Sequence, residues 1–430
     1  MALPARPEVG KERYLSKSKG VGGKLRKKPE DFKVNEIISN KDKSHWIWAK
    51  ENNHGKHSIV KITAKNWDTH VLVKELSKQL EIGQKAIGFA GTKDKRALTT
   101  QYFSLMAKRN KIEKLSLNDV EIEFCHRTIK PIRLGNLVGN KFTIKISDTN
   151  NNDIDTLIDE LKEGFPNYFG IQRFGAIRPI THTVGEKIVK GDYEGAVWSY
   201  LSDGDADFSG FEARKELKKT KDLETALQNY PKSMLFERMM IGHLIRKNED
   251  YIGALKQLPE NLSKMFVHAY QSSMFNRMID MRIESGKSIH SPIIGDNVIP
   301  VDIYGGPDQR KVIKVTKYNQ KKLEKRCMQG KAWVVGLLPG IASEYTDGFQ
   351  GDLEKRIMSD EKVNFKDFKI EAAPELTSLG MYRPLAQKIN SLKWEIDEDG
   401  LPVFDFWLHK GTYATAFLRE IMKSEDMTVY

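Results

Sequence analysis

Residues 88–101 read Gly88-Phe89-Ala90-Gly91-Thr92-Lys93-Asp94-Lys95-Arg96-Ala97-Leu98-Thr99-Thr100-Gln101 and hold the most unusual grouping of reactive side chains in the chain. One carboxylate, Asp94, stands among Lys93, Lys95 and Arg96. Cations this close favour the ionised acid, so the spacing predicts a depressed pKa for Asp94. Gly91 is expected to give the turn an unusual backbone and to let a substrate approach closely. An ionised Asp in a positive loop suits a nucleophile or base acting on a sugar bound through its phosphates. The same residues also describe a solvated charged turn, and from the loop alone that is the favoured reading.

Other signatures of chemistry fail. Gly20-Val21-Gly22-Gly23-Lys24 imitates a phosphate loop, but Ser18 and Leu25 stand where a Walker A motif needs Gly and Ser/Thr. No G-x-G-x-x-G leads from a strand into a helix, and H-E-x-x-H and G-x-S-x-G are missing. His54 and His57 are three apart with no thiol near, and are expected at the surface and not on a metal. Residues 148–152 space Asp and Asn like a calcium loop, but the sixth position lacks Gly and the twelfth is Asp159. Helix capping is the preferred reading there.

The elements that must position Asp94 follow from periodicity. Residues 32–38 and 45–49 read as strands, the latter with Trp46 and Trp48 on one face. Asp68 or Thr69 caps a helix whose Leu72, Leu76 and Leu80 recur at i, i+4, i+8. Residues 100–105 read as a further strand, so 91–99 is a loop between regular elements. Further strands are expected at 142–146 and 401–408. Helices are expected over 153–161, 212–228, 232–246, 266–283 and 412–422. Residues 1–22 are charged and aperiodic, and read as a poorly ordered arm.

Composition narrows the partners. The chain has 430 residues, enough for two or three domains, with 70 basic against 58 acidic residues. The resulting +12 favours a polyanionic partner. Residues 309–331 carry nine Lys/Arg against one acid, Glu324, and Lys24, Arg26, Lys27 and Lys28 make a second cluster. Such runs are the footprint of phosphate binding. No apolar run is long enough to span a bilayer. Cys125 and Cys327 are too few and too far apart for a disulfide framework, which points to a reducing compartment.

The loop at 88–101 resembles the catalytic loop of the TruD family of RNA pseudouridine synthases, G-F-A-G-x-K-D-+-x-A-x-T-x-Q. Four more stretches resemble that family's motifs, in its order. Pro29-Glu30-Asp31-Phe32-Lys33-Val34-Asn35-Glu36 follows P-E-D-F-x-V-x-E. Pro166-Asn167-Tyr168-Phe169-Gly170-Ile171-Gln172-Arg173-Phe174-Gly175 follows P-N-Y-F-G-x-Q-R-F-G. Ala269 to Asn276 carries the A-x-x-S-x-x-F-N helix, and Gly411 to Glu420 the closing G-x-[FY]-A-T-x-x-x-R-E.

The resemblance implies an isomerase that converts uridine to pseudouridine in tRNA, at position 13 of the D-arm, without a cofactor. It implies Asp94 as the essential aspartate, either attacking the ribose C1′ or taking a proton from C2′. Phe169 would stack on the flipped base. Asn167 would lie close by, and Arg26 would stand where bacterial members carry a lysine. Lys93 and Arg96 are expected to bind substrate, and Lys321, Lys322, Lys325 and Arg326 to bind RNA. No metal, membrane or protein partner is implied, and the expected location is the cytoplasm. An archaeal-type member fits the modest length.

The fold implied is α+β. A pseudouridine synthase core, a mixed and largely antiparallel sheet flanked by helices, would span residues 1–176 and 372–430. An inserted α/β TRUD domain would span 177–371, with RNA in the cleft between them. In the helix over 266–283, Phe275 should face the core and Asn276 or Arg277 the cleft. The alternative is a non-catalytic tRNA-binding chaperone that retains the fold.

Overall fold

The computed structural model describes residues 10–38, 51–93, 95–150, 153–175, 178–204, 210–302 and 306–430. The chain divides into two compact units. One comprises Ser16–Phe165, Val301–Asp308 and Gln387–Tyr430, and the other Met1–Leu15, Pro166–Pro300 and Gln309–Ala386. These units part at 165/166 and 386/387, where the motif pattern places boundaries at 176 and 371.

The first unit is built on an eight-stranded mixed sheet. Its strands run in the order Asn390–Ile396, Pro402–His409, Gly139–Lys145, Phe32–Ile37, Leu98–Leu105, His57–Lys65 and Val120–Thr128. Ile87–Phe89 pairs with the end of Leu98–Leu105. Phe32–Ile37 lies parallel to Leu98–Leu105, and the other pairs are antiparallel. Alternation puts Phe32, Val34 and Glu36 on the buried face and Lys33 and Asn35 outside. A carboxylate at the third inward position is unusual, because a buried charge requires a partner.

Helix Thr69–Leu80 covers this sheet. Asp68 caps it by accepting from His70 N (2.8 Å) and Val71 N (3.2 Å), which satisfies two of the free amides at its start. Leu72, Leu76 and Leu80 are buried against Val60, Ile62, Phe103 and Leu105. Truncating one of these leucines to Ala would cost about 2–5 kcal/mol. Asp153 caps helix Ile154–Glu160 by accepting from Thr156 N (3.1 Å), whereas in the stretch 148–152 Asp148 and Thr149 belong to the short strand Ser147–Thr149 and residues 151–152 lie outside the described residues.

The second unit is mostly helical. Its centre is helix Glu260–Glu284, whose Phe266, Tyr270, Met274 and Met278 belong to one large buried cluster. An antiparallel four-stranded sheet orders Ile313–Lys314, Asn297–Pro300, Ala332–Leu338 and Met381–Pro384. The fold class is therefore the α+β arrangement expected.

Several local expectations change. The helix expected over 212–228 is two, Phe211–Thr220 and Leu223–Asn229, because Lys221 turns left-handed (φ 57°). The arm is tied down from residue 10. Glu12 accepts from Asn276 Nδ2 (2.8 Å) in the helical unit, and Ser16 Oγ donates to Glu420 Oε2 (2.7 Å) in the sheet unit. The glycines at 20–23 serve packing: a Cβ on Gly20 would lie 2.3 Å from the Met422 carbonyl oxygen. His57 is buried at the start of its strand, not on the surface, and burial holds its imidazole below the usual range. The strand expected at 45–49 lies outside the described residues.

Candidate active site

Asp94 lies outside the described residues, but the frame on either side of it does not. The loop leaves strand Ile87–Phe89 and enters Leu98–Leu105, the strand with neighbours on both sides. Three buried polar contacts pin its first half. Lys93 Nζ is 2.9 Å from Glu36 Oε1, and the two side chains are 6% and 0% exposed. Lys93 N donates to Thr69 Oγ1 (2.9 Å), which in turn donates to Gln101 Oε1 (3.1 Å). Gln101 Nε2 closes the chain by donating to the Gly91 carbonyl (2.7 Å). Glu36 Oε2 also accepts from Tyr102 N (3.2 Å).

The residues meet for a geometric reason. Register places Val34 opposite Thr99 and Asn35 opposite Thr100, so Glu36 stands one step on, beside Gln101. Both point to the buried face, where helix Thr69–Leu80 begins. Thr69 follows the cap residue, and its hydroxyl serves the loop. Each of these polar groups would be costly alone in the interior, and together they satisfy one another.

This changes the electrostatics read from the sequence. Lys93 is spent on Glu36 and turned away from solvent, while Lys95 and Arg96 are exposed. The positive excess around residue 94 is therefore carried by two cations, not three. Gly91 differs as well. Its φ is not positive, and an added Cβ would make only ordinary contacts, 3.7 Å from Lys93 Nζ. Arg26 has positive φ (58°) and lays its guanidinium 3.9 Å from the Phe32 ring centroid. Its carbonyl accepts from Arg96 Nη2 (3.3 Å). Lys24 and Lys27, from the same basic cluster, approach Asp148 at 3.8 and 3.5 Å, which neutralises part of that cluster.

The helical unit holds the second group of residues. Phe169 is 6% exposed and meets Phe275 edge-on, with centroids 5.8 Å apart. The Arg383 guanidinium lies 4.0 Å from its centroid and that of Arg173 lies 5.2 Å away. Asn276 brackets the Phe169 backbone, accepting from its N (2.8 Å) and donating to its O (3.0 Å). Asn167 is buried. Its Oδ1 accepts from Arg383 Nη2 (2.8 Å) and its Nδ2 donates to the Pro384 carbonyl (2.8 Å). The Phe169 ring and the Arg383 plane are thus held as a pair by Asn167 and Asn276. Phe275 faces the core as expected. Asn276 is spent on the turn, and Arg277 is engaged by Asp360 (2.6 Å) and Glu361 (3.2 Å).

The lysines of residues 309–331 lie in the same unit. Helix Gln320–Met328 buries Leu323 and Cys327 and exposes Lys321, Lys322 and Lys325. Arg326 is half-buried on its flank.

Sequence reasoning assigned no role to Glu36, Gln101 or Arg383, and saw Thr69 only as a candidate helix cap. Glu36 and Gln101 each close a quoted motif, and an acid on the inward face of a strand was the available signal. Arg383 had none. Among the described residues no group of His, Cys, Asp and Glu could hold a metal ion, and no helix is long and apolar enough to cross a membrane.

Comparison with known proteins places these elements in context. The family profile described as tRNA pseudouridine synthase D (TruD) matches residues 8–421. A protein of Methanococcoides burtonii named "Probable tRNA pseudouridine synthase D" is 38% identical, over 98% of this chain and 97% of its own. One of the same name from Thermococcus sibiricus is 38% identical over 96% and 97%. A solved structure of a tRNA pseudouridine synthase D homologue from Methanosarcina mazei superposes with a TM-score of 0.81 at 37% identity, covering 97% of both chains.

Proposed function

This chain belongs to the TruD family of tRNA pseudouridine synthases, and on that premise we propose that it isomerises a uridine of tRNA, position 13 of the D-arm, with Asp94 as the catalytic carboxylate. It is an isomerase of archaeal type. The reaction breaks the C1′–N1 bond, turns the freed uracil, joins C5 to C1′, and exchanges the proton lost from C5 for one taken up at N1. Asp94 either attacks C1′ or removes a proton from C2′. No outside reductant or oxidant is needed, because the product is an isomer of the substrate.

The observation that carries this reading is the buried anchorage beside Asp94. A solvated turn needs no ion pair 2.9 Å long between side chains 6% and 0% exposed. Here Glu36, Thr69 and Gln101 all hold the loop's backbone or its lysine. Such fixing lowers the reorganisation a catalytic group must undergo. Lys93 is then a positioning residue, and Lys95 and Arg96 are left to meet phosphates. Arg26, stacked on Phe32, borders the same loop through its bond with Arg96.

Phe169 takes the flipped uracil. Extracting a base costs a few kcal/mol of unstacking, and an aromatic face returns about 1–3 kcal/mol. The Arg383 guanidinium, 4.0 Å from the ring centroid, makes a cation–π contact that fixes the orientation of the ring. Asn167 holds Arg383 and so sets that geometry. The core at 1–176 and 372–430 carries the chemistry, and the insertion at 177–371 carries the lysines for RNA. Cytoplasmic tRNA is the substrate pool.

Incubation of the purified protein with unmodified tRNA transcripts, followed by chemical mapping of pseudouridine, tests the reading. One new pseudouridine in the D-arm is expected, and none with Asp94→Ala, whose affinity for tRNA should be nearly unchanged. Product from the variant would remove Asp94 from catalysis. No product from the wild type, with binding retained, would leave an RNA-binding protein without the reaction.

A further inference from the structure

A turn leads into the helix that carries the insertion's lysines, Gln320–Met328. Gln320 N donates to the Thr316 carbonyl (3.0 Å) and Leu323 N to that of Asn319 (3.0 Å). Asn319 is the N-cap of the helix (φ −115°, ψ −7°). Residues 316–319 therefore form a turn continuous with the helix. Tyr318 stands at position i, with Lys321, Lys322 and Lys325 at i+3, i+4 and i+7, on the face opposite Leu323 and Cys327.

That face has two features that do not suit a helix meant only for solvent. Tyr318 is 87% exposed, so its ring contributes almost nothing to the core. Lys317 Nζ lies 5.0 Å from the ring centroid. Lys321 and Lys325 repel one another at i, i+4 spacing. Among the described residues no acid forms an ion pair with Lys317, Lys321, Lys322 or Lys325, whereas Lys314, earlier in the same run, is paired with Asp347. Phosphates would relieve the repulsion. An acidic protein surface could do so too, but it would have no use for a bare aromatic ring among cations. A base flanked by phosphates uses both.

We propose that Tyr318 and the lysines around it form a second RNA-binding site, taking an unpaired nucleotide whose base stacks on Tyr318 while neighbouring phosphates meet Lys321, Lys322 and Lys325. The inference rests on the proposed tRNA substrate. It adds a preference for unpaired over fully duplex RNA, since a base within a helix has no free face to offer.

Equilibrium binding of an unmodified tRNA transcript across a salt series separates the parts. Tyr318→Ala should weaken binding about tenfold with an unchanged slope against salt, because a stacked base carries no counterion. Tyr318→Trp should restore it. The triple change Lys321→Gln, Lys322→Gln, Lys325→Gln should reduce the slope by about 2, at roughly 0.7 for each single-strand phosphate contact. A duplex of equal length should bind wild type and Tyr318→Ala alike. Tyr318 is exposed, so its loss does not threaten folding. Tyr318→Ala within twofold of wild type, or equally weakened on duplex, would overturn the stacking site. Wild-type protein that forms pseudouridine in the same transcript keeps the proposed function standing when that happens. Protein that neither binds nor modifies it brings down both.

Discussion

Replacing Glu36 should disable the enzyme without touching a group that contacts substrate. Its carboxylate and the Lys93 ammonium are 2.9 Å apart and shielded from water. At that distance their attraction is about 6 kcal/mol for an effective dielectric of about 20. Desolvating the two ions costs several kcal/mol each, so the intact pair is close to neutral in net stability. Removing one partner is different, because an uncompensated ammonium stays buried, at a cost of about 3–5 kcal/mol. Glu36→Ala also takes an acceptor from Tyr102 N. Lys93 must then swing out, and the backbone it anchors beside Asp94 moves with it. We expect the unfolding midpoint of Glu36→Ala to fall, and pseudouridine formation to drop at least 100-fold at saturating tRNA. Glu36→Gln keeps one acceptor oxygen but sets an amide NH2 against the other donor, and should lie between. The decisive variant is the apolar pair Glu36→Leu with Lys93→Met, which removes both charges. It should regain most of the stability and little of the activity. Stability and turnover recovering together would show that the ion pair only holds the fold. Wild-type turnover in Glu36→Ala would refute the positioning argument altogether.

Two further outcomes are expected. Arg383→Met removes the guanidinium 4.0 Å from Phe169 and leaves Asn167 Oδ1 without its donor. The lost cation–π contact and the orphaned acceptor together cost about 1–3 kcal/mol, and kcat/KM for tRNA should fall tenfold or more. An unchanged kcat/KM would remove Arg383 from the site. His57 and His409 are both held below the usual imidazole range by burial, opposed at His409 by Asp302. They stay neutral in the fold, while the unfolded chain takes up protons near about pH 6.5. Their contribution is full above that pH and is lost as pH falls through the lowered folded values. The thermal midpoint should therefore drop between pH 7 and 5, less steeply in His57→Gln. A midpoint that rises on acidification would contradict the assignment.

Much of the fold was legible because it is local. Asp68 before Leu72, Leu76 and Leu80 specifies a capped amphipathic helix through nearest-neighbour hydrogen bonding and a 3.6-residue period. The alternation at 32–37 specifies a strand for the same kind of reason. Element ends were less legible. Lys221 breaks a helix by adopting a left-handed angle that its residue type does not favour, and only the surrounding packing selects it. Residues 10–22 read as a loose arm because the groups that hold them, such as Glu420, are some 400 positions away.

The sequence by itself determined which residue could be the acid of this protein and what surrounds it in the chain: Asp94 with its cations, Phe169 in its motif, and a lysine run for phosphate. Only the tertiary structure decided which of those charges are available. Lys93 looks identical to Lys95 in sequence, yet one is buried on Glu36 and the other is exposed, because strand register brings Glu36 beside Gln101 under the helix that begins at Thr69. Arg383 reaches Phe169 across more than 200 residues for the same reason. A charge's role depends on what lies within a few ångströms of it, and in a folded chain that is set by packing between elements and not by neighbours along the backbone.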